Sequence, residues 1–254
     1  MKTITNAQVL GHEALTPEVK KIKLYAPAIA EIAQPGQFVT LAVTKQLAPL
    51  LRRPFGIAAV DVVEGSITLV YRLLGEATHI LAQAKVKDVV NVMGPLGHGF
   101  DLKATRPLLV GGGMGLAPLH FLATCFSSGR ADVLMGGKTA GELFWQELYA
   151  NKVNNIFLTT DDGSLGVQGT VLATLPQLLQ EGKYDCLYVC GPVPMMKAVV
   201  SEVQKVHLPC QISLEKYMGC GLGACLSCSC EGLGKRLKVC TDGPVFWAQE
   251  VAQW

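Results

Sequence analysis

Residues 106–126, RPLLVGGGMGLAPLHFLATCF, decide the architecture. The apolar run LLV reads as a strand, GGGMG as a turn, and LAPLHFLATCF as a run that can be helical, so the stretch makes one βα unit. The rhythm recurs downstream, where ADVLMGG, NIFLTTDDG and CLYVCGP arrive roughly every 25 residues with helical stretches between them, as a parallel sheet requires. Up to about Asp101 the pattern is different. There GQFVTLAV, SITLVYRLL and DVVNVMGP are short β-type runs separated by Pro and Gly, which suits an antiparallel barrel or sandwich. From about Cys210 regular pattern gives out and Gly and Cys become dense, as in a small loop-built domain. The expected fold is α+β and multidomain: an N-terminal antiparallel β-barrel at 1–101, a central parallel α/β domain at 102–209, and a small cysteine-rich domain at 210–254.

Bulk properties narrow the function. Half of the 254 residues are apolar and 17% are charged, enough for a large buried core in two or three domains. Twenty-two basic against twenty acidic residues leave a net charge of +2 with no Lys/Arg block, so nucleic acid is not an expected partner. The N-terminus MKTITNAQVLGHEAL has no signal-peptide apolar stretch, and no run approaches the ~18 apolar residues of a membrane span. A cytoplasmic chain with no membrane partner is expected. Nine cysteines, six of them between positions 210 and 240, fit clustered metal ligation better than a disulfide framework.

Cys220, Cys225, Cys228 and Cys240 are spaced C-x4-C-x2-C-x11-C, and the first three reproduce the plant-type ferredoxin spacing. Four thiolates must converge on two irons, and Gly219, Gly221 and Gly223 let the backbone wrap such a group. The reading is a [2Fe-2S] cluster. The alternative is a structural zinc site, which prefers two C-x2-C knuckles where only Cys225 and Cys228 form one. Cys230 competes with Cys240 as fourth ligand; Cys240 is favoured because it sits on its own β-type run, LKVC, before the turn TDGP. Cys125, Cys186 and Cys210 read as buried small hydrophobes.

In the opening stretch, Gly111, Gly112, Gly113 and Gly115 allow backbone N–H groups to approach a pyrophosphate at a helix N-terminus. The dinucleotide fingerprint is imperfect, because Pro118 stands where the third glycine belongs. Asp161-Asp162-Gly163-Ser164 ends the third strand of this region and Cys190-Gly191-Pro192 the fourth, at the strand C-termini where open α/β sheets bind ligands. Simple tight βα turns would look the same. The second strand ends in Gly136-Gly137-Lys138 with no acidic residue, so the choice between NADH and NADPH stays open. In the first domain, Arg52-Arg53-Pro54-Phe55-Gly56 joins cation, rigid turn and aromatic; an arginine there can pair with phosphate, or can be a surface residue beside a core phenylalanine. Val70-Tyr71-Arg72 ends another β-run, and Ala77-Thr78 opens a helix whose first N–H groups can receive a phosphate.

Taken in order, RRPFGI, VYR, the AT pair, MGPLGHGF, GGGMGLAPL, DDGS, CGP and MGCGLGACLSC with VCTDGPVF resemble the ferredoxin-reductase superfamily. Within it the chain is most similar to the family of iron-sulfur electron-transfer subunits of the NAD-linked (class 1B) dihydroorotate dehydrogenases. The resemblance implies FAD held in the barrel by Arg53, Pro54, Phe55 and Gly56, by Val70, Tyr71 and Arg72, and by Ala77 and Thr78. It implies Cys220, Cys225, Cys228 and Cys240 as cluster ligands. Gly111, Gly112, Gly113, Gly115, Asp161, Cys190, Gly191 and Pro192 would serve NAD, with Cys190 near the nicotinamide and no side chain acting as acid or base. Two positions depart from the family: Gly56 stands where Ser or Thr is usual, and Ala77 where Gly is usual.

The resemblance further implies a heterotetramer of two copies of this chain and two FMN-containing catalytic subunits. Electrons from dihydroorotate would pass through the cluster and FAD to NAD⁺, in de novo pyrimidine (UMP) biosynthesis. A flavin converts between the two-electron nicotinamide and the one-electron cluster. Two alternatives remain: a flavin and iron-sulfur NAD(P)H oxidoreductase subunit serving a ferredoxin, hydrogenase or sulfur-reducing partner, and a zinc-stapled nucleotide-binding regulatory module. Phe246, Trp247 and Trp254 near the C-terminus suit either a partner-docking face or a closing core.

Overall fold

The structure, a computed structural model, describes residues 3–44, 46, 48–126 and 129–253. Trp254 lies outside them. The first six strands, β1 (Thr3–Ala14), β2 (Val19–Tyr25), β3 (Phe38–Ala42), β4 (Arg53–Asp61), β5 (Ser66–Arg72) and β6 (Val89–Leu96), close an antiparallel barrel in the order β1-β2-β5-β4-β3-β6. Strand alternation fills it: Ile22 and Leu24, Val39 and Leu41, Phe55 and Ile57, Leu69 and Tyr71, and Val90 and Val92 point inward. The short helices α1 (Pro27–Ala30) and α2 (Glu76–Leu81) lie in the barrel's connections. Closure leaves the barrel no free edge.

Strands β7 (Pro107–Gly112), β8 (Asp132–Gly137), β9 (Ile156–Thr160), β10 (Val167–Gln168), β11 (Cys186–Cys190) and β12 (Cys210–Ser213) run parallel in the order β10-β9-β8-β7-β11-β12. Residues 108–110, 133–135 and 187–189 are buried on both faces, which is why these strands read as continuous apolar runs. Helices α3 (Leu116–Cys125), α4 (Trp145–Tyr149), α5 (Leu175–Gln180) and α6 (Val193–Lys205) connect or cover them. Helix α3 buries Leu116, Ala117, Pro118, Leu119, Phe121, Leu122 and Ala123 because it is packed between the sheet and the barrel. The helix's own His120 spans that junction, with its ring nitrogens 2.8 Å from the Ala58 carbonyl oxygen on β4 and 3.0 Å from that of Leu148 on α4.

The C-terminal segment is woven into the same sheet. Cys210–Ser213 pairs in parallel with Leu187–Cys190, so the expected boundary at 209/210 falls inside the nucleotide-type sheet. Four residues beside a cysteine-rich loop are too few to announce a strand. After a loop, β13 (Ser229–Gly232) and β14 (Arg236–Lys238) form a hairpin, and β15 (Val245–Trp247) returns antiparallel onto β12. The last strand, β16 (Val251–Gln253), then pairs with β13. Phe246 is buried in the core, while Trp247 is only partly covered. No helix among the described residues is long and apolar enough to cross a membrane.

One buried side chain ties barrel, sheet and C-terminal segment at a point. Gln211 accepts from Asp101 N–H at 2.9 Å and donates to the Asp101 carbonyl at 3.2 Å, and Tyr188 O–H donates to the same carbonyl at 2.7 Å. Gln211→Leu would leave the Asp101 N–H unpaired, a cost of about 1–3 kcal/mol. Chemical denaturation should show that loss, with barrel and sheet still unfolding together.

Candidate functional site

The loop 218–228 carries three of the four cysteines and is bent by Gly221 (φ +71) and Gly223 (φ +84), conformations that side chains with a Cβ rarely take. Two backbone N–H groups, those of Leu222 and Cys225, turn toward the Cys220 sulfur at 3.3 and 3.5 Å. The Cys225 sulfur lies 3.2 Å from the Ser227 hydroxyl. That hydroxyl and the Ser227 N–H, followed by the Cys220 thiol, pull the Cys225 thiol down to about 6. On the other side, burial first and a hydrogen bond with the Cys228 thiol second push Cys240 up to about 11, and Gly223 N–H also reaches it.

The donors therefore come as two pairs, Cys220 with Cys225 and Cys228 with Cys240. Among the described residues no three His, Cys, Asp or Glu side chains gather round one point. Two pairs of soft sulfur donors with N–H groups aimed at them fit a binuclear iron-sulfur group, where a single tetrahedral zinc ion wants four ligands on one centre. Cys240 sits in the turn just beyond β14 rather than on a strand, and Lys238 N–H, at the end of β14, donates to Asp242 across that turn at 2.7 Å. Cys230 lies on β13 opposite Leu237, buried, with its thiol raised by that burial.

On the barrel, alternation divides the candidate flavin residues. Phe55 and Tyr71 turn into the barrel core, edge to face at 5.6 Å. Tyr71, raised by burial, lies with its hydroxyl 2.9 Å from His12 Nε2; because His12 Nδ1 meets the Ala84 carbonyl at 2.7 Å, the Tyr71 O–H is the donor to His12. Their rings are thus spent on packing, and the outward face is left to Pro54, Gly56, Val70 and Arg72. Arg72 Nε is buried with no partner among the described residues, and Nη2 stands 3.7 Å from Glu142 of the central domain. An unpaired buried guanidinium N–H fits a phosphate oxygen. Arg53 donates to the Leu51 carbonyl, and Thr78 Oγ1 accepts from Leu74 N–H and Gly75 N–H, so the hydroxyl closes its own turn. Ala77 is buried. A Cβ on Gly56 would meet Pro118 at 3.6 Å, ordinary contact, so no clash demands glycine there.

At the sheet's C-terminal edge the turn Gly113–Gly115 touches the end of β11. A Cβ on Gly115 would lie 2.4 Å from the carbonyl carbon and oxygen of Cys190, so only glycine permits the two backbones to meet. Gly113 (φ +55) has open space around it, and Gly112 and Gly191 both face Met195. Pro192 caps α6. The Cys190 thiol is buried and raised, by burial and then by the Glu215 charge. Asp161 follows β9 in the exposed rim, its N–H on the Gly137 carbonyl. Glu142 was invisible as a site residue: four residues beyond Lys138, it folds back to accept the Lys138 N–H at 2.9 Å, so a carboxylate does reach the tip of the second strand.

Comparison with known proteins accords with this geometry. The model of the iron-sulfur cluster binding domain of dihydroorotate dehydrogenase B matches residues 215–252. A solved NADH-dependent reduced ferredoxin-NADP oxidoreductase superimposes with a TM-score of 0.87 at 28% identity, over 98% of this chain and 90% of the other. A ferredoxin NADP⁺ reductase from Neisseria gonorrhoeae, with bound FAD and NADP, shares the fold at 15% identity and a TM-score of 0.63, over 80% of this chain and 91% of the other. Barrel, parallel sheet and cysteine loop thus define a ferredoxin-reductase-like oxidoreductase chain with an iron-sulfur domain appended. The electron transfer subunit of dihydroorotate dehydrogenase B (NAD(+)) from Geobacillus thermodenitrificans is 38% identical over 252 residues, 96% of each chain. Its counterpart from Fusobacterium nucleatum is 36% identical over 258 residues, 98% of each chain. The chain belongs to the family of electron transfer subunits of NAD(+)-dependent dihydroorotate dehydrogenase B.

The contact of the two turns is directly testable. Gly115→Ala must push the Gly113–Gly115 turn off Cys190, costing about 1–3 kcal/mol as overpacking does. Thermal unfolding should fall accordingly, and KM for NADH should rise while the flavin and cluster absorption bands persist.

Proposed function

We propose that this chain is the NAD-reducing half of a two-subunit dihydroorotate dehydrogenase, in the cytoplasm, serving pyrimidine (UMP) synthesis. A separate FMN-containing catalytic subunit would oxidise dihydroorotate, and two copies of each chain would form a heterotetramer. The observation that carries this reading is the seat of the cysteine loop on the barrel. A Cβ on Gly221, next to Cys220, would stand 3.3 Å from Thr40, and Thr40 pairs in register with Pro54 of the candidate flavin segment. A cluster held by that loop would lie close to a flavin held by that segment.

Each part then has a role. Cys220 with Cys225 would hold one iron and Cys228 with Cys240 the other. Arg53, Arg72 and the turn at Ala77 and Thr78 would take the FAD phosphates, and Pro54, Gly56 and Val70 would form the wall it lies on, with Phe55 and Tyr71 contributing backbone from behind. Gly111, Gly112, Gly113 and Gly115 would let NAD⁺ approach the backbone, with Asp161, Gly191 and Pro192 on the rim. Cys190, kept neutral by burial, would exclude water beside the nicotinamide without adding charge. Bound FAD exchanges electron pairs with nicotinamide and single electrons with an iron-sulfur cluster. No acid or base is required of this chain.

The purified chain should show flavin and [2Fe-2S] absorption and NADH-dependent dye reduction, and should not oxidise dihydroorotate until the catalytic subunit is added. Oxidation by this chain unaided would refute the division of labour. Cys240→Ser should bleach the cluster bands, whereas Cys230→Ser should leave them. A second reading, service to a ferredoxin-type partner, draws on the likeness to the reduced ferredoxin-NADP oxidoreductase. Co-purification followed by mass measurement separates the two, since the mass identifies the partner.

A further inference from the structure

Strand β3 alternates between two surroundings. Val39 and Leu41 face the barrel core, while Phe38 and Thr40 face outward, toward the C-terminal segment. Phe38 joins the core shared with Cys228 and Cys240. Thr40 occupies the same covered face at 2% exposure, and its Oγ1 has no hydrogen-bond partner among the described residues. Such a hydroxyl is a cost to the fold unless an acceptor reaches it.

Its surroundings restrict what that acceptor can be. In register, Thr40 lies between Pro54 on β4 and Met93 on β6, neither of which offers a side-chain acceptor for an O–H of comparable strength to oxygen. The Thr40 carbonyl oxygen is met by Arg52 Nη1 at 3.4 Å, which anchors the peptide but leaves the hydroxyl untouched. Above it sits Gly221, whose missing Cβ would be 3.3 Å from Thr40 Cγ2 and 3.2 Å from Leu96 Cδ1. Gly221 follows Cys220, and the Cys220 sulfur already draws the N–H groups of Leu222 and Cys225 from the loop side. Thr40 stands on the barrel side of the neighbouring Gly221.

We propose that the hydroxyl of Thr40, a buried residue whose methyl group packs under Gly221 and whose Oγ1 has no partner among the described residues, is the barrel's hydrogen-bond donor to the sulfur of the cluster held at Cys220, and that it raises the cluster's reduction potential. A donor aimed at cluster sulfur stabilises the reduced form, which carries one more negative charge, more than the oxidised form. The inference rests on the assignment of Cys220 as a cluster ligand. It makes Thr40 a positioning and tuning residue at the boundary between flavin segment and cluster, not a ligand.

The test uses the full chain with its cluster and flavin, as wild type, Thr40→Val, Thr40→Ala and Thr40→Ser, in redox titrations followed by electron paramagnetic resonance for the cluster and by absorption for the flavin. Valine and alanine should each move the cluster midpoint to more negative potential, serine should restore it, and the flavin midpoint should stay in place. Without cluster, Thr40→Val should melt no lower than wild type, since no bond of the hydroxyl is lost. An unmoved cluster midpoint in both Thr40→Val and Thr40→Ala overturns the inference, as does a shift confined to the flavin. Wild-type protein lacking iron and acid-labile sulfide would instead refute the cluster assignment, and this inference with it; a cluster present with unchanged potential refutes only Thr40's role.

Discussion

Helix α3 gives water little beyond its last two residues, Thr124 and the Cys125 expected to be buried, and the rest of the molecule is arranged around that constraint. Seven of its residues are buried because the sheet lies on one side and barrel strand β4 on the other. Each large apolar side chain so covered contributes about 1.5–3 kcal/mol, so separating barrel from sheet would expose a whole helix at once. Pro118 belongs to this arrangement. It falls within the first turn, where a helix N–H has no intrahelical partner to lose, and its ring lies against Gly56. The proline that spoils the dinucleotide fingerprint is a packing residue between two domains.

With α3 held, the turn before it is held too. Gly115 meets Cys190 backbone to backbone, and Tyr149 O–H, fully buried, donates to the Leu116 carbonyl at 2.7 Å from below. A nucleotide at this edge would therefore meet a turn whose position is set by the barrel contact behind it. The Arg72 and Glu142 pair works at the same boundary, joining the last residue of β5 to the loop that follows β8.

The C-terminal segment closes the arrangement from the opposite side. Because β12 and β15 are strands of the sheet, the cysteine loop between them is bound at both ends to the same rigid layer and pressed onto the outer face of β3 and β6. A loop so tethered holds its thiols near the candidate flavin segment, which a free ferredoxin-like domain on a linker would not do.

The amino-acid sequence alone determined the barrel, the parallel strands and the cysteine spacing, because strand alternation, fully buried apolar runs and short loops between ligands are local patterns that survive in one dimension. It also carried the four cysteines and the glycine turn as candidate residues. Only the tertiary structure decided which side of the candidate flavin segment faces outward from the barrel, turning Phe55 and Tyr71 inward, and that Cys210–Ser213 belongs to the sheet. It alone brought Glu142 back to Lys138, left Arg72 Nε and Thr40 Oγ1 buried without partners among the described residues, and sorted the cysteines into two pairs. These features depend on contacts between segments far apart in the chain, and long-range packing leaves no mark in local periodicity.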